Sequence, residues 1–255
     1  MFSDRRGILA VKYLLKHGHA TQAEIAKSTG MAVSYVNTIA QRLRDSFIVS
    51  KPHARGMYLT DYNRLLMALS YENPMGKKFR SKYLMGGAKE EVERAISGSF
   101  SKRDVGYAFT LLSALPHYSY SAEGQQVSVY VFEEQMKSAE KLLVDAGARE
   151  SGIGNIDVYA AHEGILADSR PLDGGNTVVV SEEQLLMDLY GYQPLLYIGS
   201  QLLEQHIQRM RAADAEKKLF AQLRMEAPIT GYKRGTKIGN GEAGKMRSKQ
   251  KPDSG

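Results

Sequence analysis

Thr21-Gln22-Ala23-Glu24-Ile25-Ala26-Lys27-Ser28-Thr29-Gly30-Met31-Ala32-Val33-Ser34-Tyr35-Val36-Asn37-Thr38-Ile39-Ala40-Gln41-Arg42-Leu43-Arg44 is the stretch that decides the fold. It opens on a capping box, in which the Thr21 hydroxyl and the Glu24 carboxylate satisfy free backbone N–H groups at a helix start. That helix is short, with Ala23, Ile25 and Ala26 available to pack. Gly30 breaks it, because glycine enters a left-handed turn at little cost. The spacing predicts a second helix over 32–45, with Val36, Ile39, Ala40 and Leu43 as its buried stripe. Short helix, glycine turn and second helix form the helix-turn-helix pattern.

Working outward sharpens this reading. Upstream, Ile8, Leu9, Val11, Leu14 and Leu15 recur with helical spacing, and Gly18 closes that helix. Downstream, Phe47-Ile48-Val49 reads as a strand, Lys51-Pro52-His53-Ala54-Arg55-Gly56 as a basic-tipped turn, and Met57-Tyr58-Leu59 as the returning strand. Three helices followed by such a hairpin make a winged helix. On the outer faces of the 32–45 helix, Ser34, Tyr35, Asn37, Thr38, Gln41 and Arg42 offer hydrogen bonds to base edges, and arginine can take guanine bidentately. Lys51, His53 and Arg55 would sit over phosphate or in a minor groove. Tyr35 has an alternative place in the core, and Arg44 an alternative role complementing the helix dipole.

Charge follows the same division. The chain has 255 residues and a formal charge of +6. Residues 1–56 hold nine Lys/Arg against three Asp/Glu, residues 57–225 hold 18 against 22, and residues 226–255 hold seven against three. A basic head on an acidic body points to a polyanion partner for the head. With 43% hydrophobic residues the chain can build a core, and with no cysteine it has no disulfide, thiolate metal site or cysteine nucleophile. No run approaches the ~18 apolar residues of a membrane span. The polar start, without signal-peptide character, leads to the expectation of a cytoplasmic protein with no membrane partner.

The expected organisation is α+β/α/β: a winged helix over 1–72, a linker over 73–87, a mixed α/β domain over 88–225 and a disordered basic tail over 226–255. A helix over 61–72 ends at Asn73-Pro74. Lys77, Lys78, Arg80 and Lys82 either extend a DNA footprint or solvate the linker. Helices are expected at 88–97, 102–114 and 133–146, and strands at 127–132, 156–160, 165–167 and 177–180. Ser181-Glu182-Glu183-Gln184 reads as a second capping box, and a long helix is expected from Pro194 to about Arg224.

No catalytic or cofactor constellation emerges. Gly98-Ser99 and Asp157 imitate pieces of a nucleotidyltransferase, but no metal-binding pair of acids follows Gly98-Ser99. Gly239–Lys245 imitates a phosphate loop, yet Met246 stands where Ser or Thr would bind magnesium. His117, His162 and His206 stand apart, and Asp188 is expected to make a structural hydrogen bond or ion pair. The expectation is a non-enzyme without cofactor or metal.

Tyr58-Leu59-Thr60 with the helix from Asp61 to Leu66, Gly154-Asn155-Ile156-Asp157-Val158, and Val178-Val179-Val180-Ser181-Glu182-Glu183-Gln184-Leu185-Leu186-Met187-Asp188-Leu189 together resemble the AbiEi family of antitoxins from type IV toxin–antitoxin systems, over about residues 5–211. The resemblance implies a winged helix that binds operator DNA and represses its own operon. It also implies a C-terminal domain that counters a toxin similar to nucleotidyltransferases, without necessarily forming a stable complex. One winged helix reads only a short site, so a homodimer or cooperative pair on operator repeats is expected. A ligand-sensing repressor and an accessory factor of a mobile element are the alternatives.

Overall fold

Helix α1 (Gly7–His17) buries Ile8, Ala10, Val11, Leu14 and Leu15, and ends where Gly18, at φ 68°, donates its N–H to the Leu14 carbonyl. After β1 (His19–Ala20), α2 (Gln22–Thr29) starts on the expected box: Thr21 Oγ1 accepts from the Glu24 N–H at 3.1 Å, and Glu24 Oε2 accepts from the Thr21 N–H at 2.7 Å. Gly30 closes α2 at φ 67°. Helix α3 (Val33–Asp45) buries Val36, Ile39, Ala40 and Leu43, the stripe its periodicity requires. Strands β2 (Val49–Ser50) and β3 (Met57–Leu59) pair antiparallel, and β3 also pairs with β1, giving the order β1-β3-β2. The expected strand residue Phe47 is instead left-handed, at φ 56°, and exposed. Its N–H donates to Arg44 and the Ile48 N–H to Leu43, so the chain turns off the end of α3 before the strand begins. Helix α4 (Tyr62–Glu72) is capped by the Asp61 carboxylate, which accepts from the Arg64 N–H at 2.8 Å.

The computed structural model describes residues 6–50, 56–120, 123–175 and 177–226. The chain divides into two units, Met1–Ala213 and Asp214–Gly255. Among the described residues, the second unit holds only the end of a helix; of the tail read as disordered, 226–255, Glu226 closes that helix and the rest lies outside the described residues.

The rest of the first unit is built on α5 (Met75–Lys78), β4 (Phe79–Leu84), α6 (Lys89–Ser101), β5 (Tyr107–Phe109), β6 (Val127–Phe132), α7 (Met136–Asp145), β7 (Arg149–Glu150), β8 (Ile156–Ala161), α8 (Glu163–Leu166), β9 (Arg170–Leu172), β10 (Thr177–Val179), α9 (Glu182–Gly191) and α10 (Leu196–Glu226). The strands form one mixed sheet in the order β7-β4-β8-β6-β5-β10-β9. β6 runs parallel to β8 and β10 parallel to β5; the other pairs are antiparallel. The fold is therefore a winged helix-turn-helix followed by mixed α/β structure.

Three expectations are corrected. The segment read as a linker supplies β4, which lies between β7 and β8. Its inward residues are Ser81 and Tyr83, so no apolar alternation announces it. The helix expected over 102–114 is replaced by β5 and short 3-10 turns. Tyr107, Ala108 and Phe109 are all buried, and a continuous apolar run reads alike for a buried strand and a buried helix. The strand expected at 165–167 is replaced by α8, with β9 following it.

The reason for α8 lies in the winged helix. Lys12 on α1 is buried, and its ammonium donates to the carbonyls of Gly164 (2.9 Å), Ile165 (2.9 Å) and Ala167 (3.2 Å), holding the C-terminal end of that turn. Burial pulls its pKa down to about 8, against the opposing pull of the Asp168, Asp188 and Glu183 carboxylates. His206 on α10 makes a second tie: Nε2 donates to the Leu15 carbonyl of α1 at 2.9 Å, and Nδ1 to Glu182 at 3.1 Å. Tyr190 on α9 adds a third, donating its hydroxyl to Asn63 of α4 at 2.9 Å.

Burial alone would lower the His206 pKa; its bonds to Glu182 and the Leu15 carbonyl outweigh that and raise it above 6.5. A raised folded-state pKa means stabilisation that is complete below the unfolded value and lost as pH rises through the folded one. The melting temperature of the wild type should exceed that of His206→Gln by less at about pH 8 than at about pH 6, followed by thermal denaturation. Lys12 has the opposite sign, its burial cost carried below about 8 and relieved toward 10.5, but it is common to both proteins and drops out of the difference.

Candidate nucleic-acid interface

The outer face of α3 presents Ser34, Asn37, Thr38, Gln41 and Arg42 to solvent, while Tyr35 is half-buried and packs on the core. The exposed residues differ in how far they are engaged. Thr38 donates its hydroxyl to the Ser34 carbonyl at 3.2 Å. Gln41 is held on both sides: its Nε2 donates to Asp45 at 2.8 Å, and its Oε1 accepts from Arg44 at 2.6 Å. For Gln41 to meet a base edge, these bonds must be exchanged. Lys51, His53 and Arg55 lie outside the described residues.

Gln22 belongs to this face and was missed in the sequence. At the first position of α2, its Nε2 donates to Asn37 Oδ1 at 3.0 Å, fixing the amide of Asn37 in the middle of α3. The available signal is its place directly after the Thr21 cap, fifteen residues from Asn37 in sequence. On the adjoining small sheet, the exposed His19 and Tyr58 stack with ring centroids 5.6 Å apart, across the β1–β3 pair.

The basic run 77–82 is committed elsewhere. Lys78 pairs with Asp188 at 3.0 Å, Arg80 with Glu133 at 3.3 Å and Lys82 with Asp157 at 2.8 Å; Lys77 donates to the Glu72 carbonyl at 3.2 Å. These are body contacts rather than a solvated linker. Gly98-Ser99 lies inside α6, not in a turn. Among the described residues no group of three or more His, Cys, Asp or Glu is placed to hold a metal, and no helix is long and apolar enough to cross a membrane.

A family model described as winged helix-turn-helix DNA-binding matches residues 4–46. No curated protein and no solved structure matches the chain. The matched residues contain α1, α2 and α3, the helices from which the interface is built.

Proposed function

From an N-terminal winged helix-turn-helix DNA-binding domain as the premise, we propose that this protein is a transcriptional regulator that reads operator DNA with the outer face of α3 and repressor-like contacts from the wing. The observation that carries this reading is the exposed row Ser34, Asn37, Thr38, Gln41 and Arg42, mounted on a helix whose other face is locked into the core. Asn37, Thr38 and Arg42 address base edges, and Lys51, His53 and Arg55 contact phosphate or a minor groove. Two copies occupy repeated half-sites as a homodimer or cooperative pair, because one short helix reads too few base pairs for a unique site.

The regulated operon is the protein's own, and the α/β domain acts as an antitoxin against a nucleotidyltransferase-like toxin. This part rests on the resemblance of residues 154–158 and 178–189 to AbiEi antitoxins. Growth of cells carrying the neighbouring nucleotidyltransferase-like gene, with and without this chain, tests it directly: unrelieved toxicity, or no such neighbour, removes the antitoxin role.

Binding to the native promoter fragment, measured by fluorescence anisotropy across a salt series, tests the DNA reading. Combined Arg42→Ala and Arg55→Ala should weaken binding at least about tenfold and reduce the log–log salt slope by about 1, the share of the phosphate contact from Arg55. Unchanged affinity and slope would remove these residues from the interface.

A further inference from the structure

A pocket of about 260 Å³ opens between the helix-turn-helix and the α/β body. One wall is the outer side of α1 with Tyr13, Lys16 and His17; another is the last turn of α2 with Ser28 and Thr29; the third brings Asp168 after α8 and Glu183 in the first turn of α9. No residue of α3 lines it. Lys12 forms the floor, but its three protons are spent on the carbonyls of Gly164, Ile165 and Ala167, so it contributes positive potential rather than a free donor.

The charge pattern is specific. Lys16 on one side and Asp168 and Glu183 on the other face the same space, yet no ion pair joins them among the described residues. Asp168 stands at φ 66°, in the left-handed region that aspartate visits more readily than most residues, and it is exposed at the rim. Opposite charges that share a cleft without closing on each other match a ligand bearing both signs. Leu9 and the Tyr13–His17 ring pair, with centroids 4.3 Å apart, supply an apolar strip beside them. At about 260 Å³ the pocket lies just under the usual range for drug-sized ligands, a volume that suits a small metabolite.

We infer that this pocket is an effector site for a small zwitterion of the amino-acid class, whose occupancy strengthens DNA binding. The ligand ammonium lies against Asp168 and Glu183, and its carboxylate against Lys16 and His17, with the Ser28 hydroxyl within the same wall. Ser28 and Thr29 immediately precede the Gly30 turn into α3. A ligand that ties them to the body immobilises the turn that aims α3, so less ordering remains for DNA to impose. Linkage makes the effect reciprocal: DNA raises ligand affinity by the same factor. The coupling to DNA rests on the regulatory reading above; the site itself does not.

The experiment uses the full chain. Isothermal calorimetry is run with the twenty L-amino acids, and each binder is compared with its decarboxylated amine and deaminated acid. At least one amino acid should bind, and both one-charge analogues should bind at least about tenfold more weakly. Asp168→Asn, which keeps a residue at ease in the left-handed region, and Lys16→Ala should each weaken binding at least about tenfold without lowering the melting temperature. Absence of binding across the panel, or binding that neither variant weakens, overturns the site. Promoter affinity is then measured with and without the ligand; a rise of at least about fivefold is expected. Promoter binding that the ligand leaves unchanged overturns the effector role. If the chain binds ligand but no promoter DNA at all, the regulatory reading fails and the pocket assignment stands.

Discussion

Asp188→Leu is expected to lower the melting temperature by roughly 10 °C, corresponding to a loss of about 3–5 kcal/mol. Asp188 is fully buried, and one carboxylate serves four partners: Thr110 Oγ1 at 2.7 Å, the Tyr130 hydroxyl at 2.7 Å, Gln184 Nε2 at 2.9 Å and the Lys78 ammonium at 3.0 Å. These come from the end of β5, from β6, from α9 and from α5, so a single side chain ties the middle of the sheet to two helices. Burial, and then the adjacent Asp188 charge, push the Tyr130 hydroxyl well above its usual pKa, which keeps it a donor. Removing the carboxylate leaves the ammonium of Lys78, whose side chain is only 14% exposed, without its counter-charge. An uncompensated buried charge is the costly outcome, whereas replacing both members with apolar groups is far less so. Asp188→Leu with Lys78→Met should therefore be more stable than Asp188→Leu alone, although Thr110, Tyr130 and Gln184 still lack their acceptor. Thermal or urea denaturation of the two singles and the double gives the coupling. Additive losses would show that the two charges do not depend on each other.

Gly154→Ala is the second large effect, expected to cost about 3 kcal/mol or more, up to failure to fold. A Cβ at residue 154 would stand 2.0 Å from the Tyr83 carbonyl oxygen, 2.2 Å from its carbon and 2.8 Å from the Leu84 nitrogen. All three are backbone atoms of β4, so no rotamer change relieves the clash. The strand must move, and with it the β4–β8 pairing from Ser81 against Val158 to Tyr83 against Ile156. Gly152→Ala is the control: a Cβ there meets nothing within 4 Å, and little loss is expected. Similar denaturation midpoints for the two variants would contradict the close approach of the chain at residue 154.

These two sites mark what could be read in the sequence and what could not. The Thr21–Glu24 box, the Gly18 and Gly30 stops and the stripe of α3 are local: each signal and its partner lie within a few residues. The same holds for Ser181, whose hydroxyl accepts from the Gln184 N–H at 3.3 Å. The second half of that expected box fails for a tertiary reason, since the Gln184 side chain reaches forward to Asp188 instead. Asp188 was legible as a structural group, but its cation was assigned to a linker, because the two stand 110 residues apart. Among the proposed DNA contacts, residue types and helix position were legible on α3. The Gln22–Asn37 bond that sets one of them was not, since it depends on how α2 crosses α3.

The sequence by itself determined the helix-turn-helix: its caps, breaks and buried stripe are short-range, and together they admit one arrangement of three helices and a hairpin. It also determined which side chains α3 turns outward, because helical periodicity assigns both faces at once. Only the tertiary structure decided that residues 79–84 are a strand, that α8 is a helical turn held by Lys12, and that a two-signed pocket lies behind the DNA-binding helices. In each of these the deciding partner is a charge or a backbone group distant along the chain, and periodicity carries no information about partners that only folding brings within reach.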